Sequence, residues 1–199
     1  MRKLIILISL GFLCACNTQQ NDEQKAALTT TLELSEADYL KMGDDIANQT
    51  QTMLMANVAN AIKSKGVAGA VDFCNEKAIP LTDSFSEKYH VFIQRLSDKN
   101  RNEQNAIQTE LDQSIWEEMS QLLKDTALAA KHIVKSTDEG TYYYKAINIA
   151  MPTCLSCHGS KKYDISAETL KAIAAKYPND KATGYKMGDF RGMWKIKLN

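Results

Sequence analysis

Cys154, Leu155, Ser156, Cys157 and His158 spell C-x-x-C-H, the spacing at which a chain takes a c-type haem. Two thiols so placed can each add across one porphyrin vinyl group. The histidine beside the second sulfur then reaches the iron as an axial ligand. A Cys-x-x-Cys also serves thiol–disulfide exchange or zinc binding. Zinc would want further Cys or His nearby, and an exchange site would want a strand opening into a helix. Neither surrounds this run, and Gly159 follows the histidine directly. The pattern points to one covalent haem c on Cys154 and Cys157, with His158 on the iron.

Three cysteines remain of the five. Arg2 and Lys3 form a charged start, and Leu4 to Leu13 a short apolar run, as in an export signal. A run of that length is too short for a bilayer core, which needs about 20 helical residues. Leu13-Cys14-Ala15-Cys16 resembles the lipobox of bacterial lipoproteins. That resemblance implies a signal peptide over 1–15, cleavage before Cys16, and lipid on the Cys16 sulfur. The expected location is exported and lipid-anchored to a bacterial membrane, on the periplasmic side or in the cell envelope. Export agrees with the haem motif, because covalent c-haem is assembled outside the bacterial inner membrane. Cys14 then leaves with the signal, and Cys74 is left over.

The chain has 199 residues, 44% hydrophobic and 24% charged, with zero net charge, enough for one ordinary domain. Loss of Arg2 and Lys3 takes 24 basic residues to 22 against 24 acidic. No basic face emerges, so nucleic acid is not an expected partner. Residues 16–34 read as a flexible tether, polar from Asn17 to Thr31 with little to bury. Residues 35–199 form the expected haem domain.

Elements must position the motif. Ser35 with Asp38 suits a helix start, and Leu40, Ala47, Leu54 and Ala61 recur every seven residues as one apolar stripe that Gly66 ends. A second helix is expected over Val67–Ala78, stopped before Pro80. Its inner face carries Val67, Val71, Cys74 and Ala78, so Cys74 should point at the core. A short helical segment follows from Thr82 to Tyr89. His90–Leu96 is β-branched and aromatic and reads as a strand. After a polar loop, Leu111, Ile115, Met119 and Leu122 mark a helix. Two strands, His132–Lys135 and Tyr142–Ala150, should pair as a hairpin, with the haem motif in the loop beyond. A helix over Ser166–Lys176 and a strand alternating Trp194, Ile196 and Leu198 complete an α+β fold with an antiparallel sheet.

Three stretches resemble one bacterial family. They are Phe73-Cys74-Asn75-Glu76-Lys77-Ala78, then Arg95-Leu96-Ser97 through Arg101-Asn102-Glu103-Gln104-Asn105, and the motif followed by Tyr177-Pro178-Asn179-Asp180 through Gly184-Tyr185 and Gly188-Asp189-Phe190-Arg191-Gly192. The family comprises single-haem c-type proteins with a PAS-like fold, filed as a domain of unknown function and also found as sensor modules. The resemblance implies a sheet of five or so strands, a long N-terminal helix with helical insertions, and a haem bound by the motif histidine and an unusual cysteine. Only Cys74 matches that cysteine. Glu103 departs from the family, which has proline there, and should loosen its loop.

From spacing alone Cys74 is a small buried residue; the resemblance makes it the second axial ligand. His90, His132, Met151, Met187 and Met193 are the competitors, with His132 expected to be solvated. Arg95, Arg101 and Arg191 either pair with haem propionates or are solvated. Asp180, Gly184, Gly188 and Asp189 are expected to shape backbone. Ligands on both faces would leave no open iron position, so an enzyme is not expected. The leading reading is a membrane-anchored redox or small-gas sensor acting through a partner protein, with a diatomic gas as possible ligand. The alternative is an electron-transfer cytochrome c in an exported redox chain.

Overall fold

The computed structural model describes residues 34–125 and 132–199. The expected signal peptide, Cys16 and all of the tether but Leu34 lie outside the described residues. Helix α1, Glu36–Tyr89, opens on a reciprocal cap: Asp38 N–H donates to Ser35 Oγ, and Ser35 N–H to the Asp38 carboxylate. Gly66, with φ 71° and ψ 175°, divides it into two arms.

Pro80 does not stop the second arm, contrary to expectation. Proline lacks the N–H that a helix interior uses, yet Ala78, Leu81, Phe85 and Tyr89 pack into one core cluster on both sides of it. That burial outweighs the local preference. His90 ends the helix in the left-handed region, φ 53°, donating its N–H to Glu87. It is a helix cap and not, as expected, the start of a strand.

The sheet is antiparallel throughout, with strands β1 (Phe92–Leu96), β2 (His132–Thr137), β3 (Gly140–Asn148) and β4 (Phe190–Lys197) in the order β1-β4-β3-β2. Among the described residues it has four strands, where the resemblance implied about five. The expected β2–β3 hairpin is present, turning between Thr137 and Gly140.

Alternation along β3 sends adjacent tyrosines to opposite faces. Tyr143, with Ile93, Trp194 and Ile196, meets Ile46, Ala47 and Leu54 of α1. Gly43 permits the close approach, since a Cβ there would lie 2.2 Å from the Tyr143 ring. Tyr142 and Tyr144, with Leu96 and Met193, meet Ile115, Trp116 and Met119 of helix α2, Glu110–Asp125. The result is a sheet between two helical layers. Two shorter helices follow β3: α3, Pro152–His158, and α4, Ala167–Lys176. Ile173 of α4 and Tyr177 just past its end pack on Val71 of α1's second arm. Among the described residues no helix is long and apolar enough to cross a membrane.

Candidate functional site

The motif was expected in a loop; it forms α3 instead, one short helix with Pro152 in its first turn. Proline is pre-set for that position, where its missing N–H has no helical partner to lose. The helix places Cys154 and Cys157 on adjacent turns, both half-buried and unpaired. Cys154 and Leu155 pack against Ile149, Ala182 and Tyr185. Burial pushes the Cys157 thiol up, and the Arg101 guanidinium only partly offsets it. A thiol that keeps its proton is a poor exchange nucleophile, which argues against a thioredoxin-like site.

His158 is fixed by its second nitrogen. Nδ1 lies 2.8 Å from the Ala182 carbonyl oxygen. A carbonyl only accepts, so Nδ1 carries the proton and Nε2 keeps a free lone pair. Arg191 Nε lies 3.4 Å from the same nitrogen, but a protonated Nδ1 has no lone pair for it, and we take the shorter contact as the bond. Burial, then the charges of Arg191 and Arg101, hold the imidazole well below its usual range and therefore neutral. The turn that supplies Ala182 is tied to the motif by Tyr185 N–H to His158 O at 3.0 Å and Gly184 N–H to Gly159 O at 2.7 Å.

Cys74 comes from the second arm of α1. It is half-buried, and among the described residues it belongs to none of the apolar clusters. It is buried enough to be desolvated, and it lies within electrostatic reach of Cys157, Arg95 and Arg101. Burial and Cys157 push its thiol up, while the two arginines pull it down. Tyr177 also interacts with Cys74, Arg101 and Arg95. Two unpaired cysteines one turn apart, a neutral imidazole with Nε2 unengaged and a third sulfur nearby form a donor set that fits a c-type haem.

Residues 17–199 match the family model described as Tll0287-like. The chain belongs to the Tll0287-like family. The structure is similar to that of the cyanobacterial heme-protein Tll0287, with a TM-score of 0.60 and 20% identity over 82% of this chain and 96% of that one. That likeness shows the PAS-like α+β fold. No curated protein matches the chain.

Of the competitors for the second position in this Tll0287-like chain, Met151 caps the motif helix itself. Met193 is fully buried beneath α2, and Met151 and Met187 are exposed. His90 lines a shallow groove with Val91, Phe92 and Lys197, which includes no motif residue. His132 was expected in solvent, yet its Nδ1 is buried without a hydrogen-bond partner and its ring stacks on Tyr143.

The expected backbone roles are seen: Gly184 and Gly188 have φ of 82° and 86°, Asp189 accepts from Lys186 N–H, and Asp180 from Ala182 N–H. Glu103 does not loosen its loop, because its carboxylate accepts from Asn179 Nδ2 at 2.6 Å. Arg101 and Arg191 are not solvated; both are tied to protein oxygens. Reading the sequence missed the Ala182 carbonyl, since a backbone acceptor leaves no trace in residue type.

Proposed function

We propose that this Tll0287-like chain is an exported, membrane-anchored single-haem c-type protein that acts as a redox or small-gas sensor. Haem would be attached through Cys154 and Cys157, with His158 and Cys74 as axial ligands and a lipid on Cys16. The observation that carries the reading is the hydrogen bond from His158 Nδ1 to Ala182 O, the outer-shell bond that orients a ligating imidazole and leaves Nε2 to the metal. The family's heme-protein relative supports the same cofactor.

When bound, haem supplies one-electron chemistry and a site for small gases at its iron. The chain's own part is to hold and move a proton on sulfur. Cys74 would bind as thiolate, yet burial favours its neutral form. Haem would be held there by a thiolate, and a Cys74 sulfur released from it would take one proton from solvent. Arg95 and Arg101 oppose that step by stabilising the thiolate. The Ala182 carbonyl would hold His158 in place whatever the state of Cys74. No substrate-binding residue is proposed, and an enzyme is not the reading we favour.

The test uses the full chain matured with haem. Colour should survive denaturation and acid–organic extraction, and Cys16→Ser should leave the membrane fraction. Cys74→Ala should keep its haem, change the ferric spectrum, raise the potential and bind carbon monoxide. Extractable colour overturns covalent attachment. A Cys74→Ala protein with the parent's spectrum and potential overturns the sensor reading in favour of the electron carrier.

A further inference from the structure

Arg101 and Asp180 form an ion pair with side chains only 12% and 6% exposed. Arg101 Nε donates to Asp180 Oδ1 at 3.0 Å, and its Nη2 donates to Cys157 O at 2.7 Å. The same Nη2 lies 3.3 Å from Asp180 Oδ2 and 3.4 Å from Ala182 O. Asp180 Oδ1 also accepts from Ala182 N–H at 3.0 Å. One ion pair thus holds both backbone polar groups of Ala182, whose carbonyl accepts from His158 Nδ1 at 2.8 Å. It also holds the carbonyl of Cys157, the residue before the histidine.

We propose that Arg101 and Asp180 are the positioning pair of His158, fixing its ring and setting how strongly Nε2 donates to a metal. The consequence rests on the haem reading above, whereas the pairing itself does not. A dry ion pair contributes little net stability against an apolar replacement, so its geometry must be explained otherwise. Arginine's planar fork can serve a carboxylate and two carbonyls at once, which a lysine ammonium cannot do from one position. Sharing the Ala182 carbonyl with a cation drains its acceptor strength, so Nδ1–H is held less tightly and the imidazole becomes a weaker donor. Asp180 balances that charge. The two residues therefore pull on the metal site in opposite directions.

Redox titration of the haem-loaded full chain tests this. Arg101→Gln should lower the potential, since a lost cation and a stronger imidazole both favour Fe(III). Asp180→Asn should raise it, because the Arg101 charge is then unbalanced. Each shift should be about tenfold in the reduction equilibrium constant, about 59 mV for one electron. Arg101→Lys keeps the charge and should stay near the parent potential while the hyperfine-shifted ring protons of His158 move. Loss of structure alone would move both charge-changing variants the same way, and such a result overturns the proposal.

A second arm needs no haem. In the haem-free chain, nitrogen NMR should find His158 in the Nδ1–H form, and Asp180→Ala, which frees the Ala182 N–H and leaves its carbonyl to Arg101, should mix the two tautomers. An unchanged tautomer in that variant also overturns it. If the parent takes up no haem, the haem reading fails, and the tautomer arm still decides the pair.

Discussion

Two ion pairs are buried to nearly the same depth and do different work. Lys195 and Asp112, 11% and 4% exposed, join β4 to α2 beneath the sheet. Arg101 and Asp180 sit beside the motif. Under the sheet the network closes on itself, with Asp112 accepting from Lys195 Nζ at 2.8 Å and from the Tyr144 hydroxyl at 2.7 Å. At the motif, arginine has donors left over once its carboxylate is served, and they reach main-chain carbonyls. A closed network can only hold two elements together. An open one carries its charge and its geometry into a neighbouring site.

The difference is sharpest where one partner is removed. Asp112→Asn leaves Lys195 buried without a counter-charge and should cost about 3–5 kcal/mol of folding stability, read by denaturant unfolding. The haem spectrum and potential of that variant should stay as in the parent. A moved potential would break the contrast with Asp180. Next in size is Tyr144→Phe, which removes a hydrogen bond to a buried carboxylate and should cost about 1.5–3 kcal/mol.

The smallest effect belongs to the wetter counterpart on the other face. There Asp44, 34% exposed, accepts from Lys145 and from the Tyr143 hydroxyl. Burial pushes the Asp44 carboxyl up, but the hydrogen bonds from Lys145 and Tyr143 more than offset it, so it lies below its ordinary value of 3.8. Its contribution is therefore full above that value and fades as pH falls through the folded one. Asp44→Asn should cost about 1 kcal/mol at neutral pH and nothing once the parent's carboxyl is protonated. An equal loss at both pH values would show a packing effect instead.

Much of the layout is written in local pattern. C-x-x-C-H, the Ser35–Asp38 cap, the seven-residue apolar stripe, the break at Gly66 and the β2–β3 hairpin each depend on residues within a turn or two of one another. Their physics is short-range, so the α+β class and the motif cysteines were legible in the sequence. The tertiary structure decided the rest. It carried α1 through Pro80, because burial on both sides outweighs one missing hydrogen bond. It made His90 a cap and gave β1 its start at Phe92. It set Cys74 within electrostatic reach of Cys157, which no spacing within one helix can indicate. The atoms that fix His158 are the Ala182 carbonyl and, through it, Arg101 and Asp180, brought together from distant parts of the chain. Hydrogen bonds to backbone are indifferent to residue type, so only the folded chain shows which carbonyl the histidine meets.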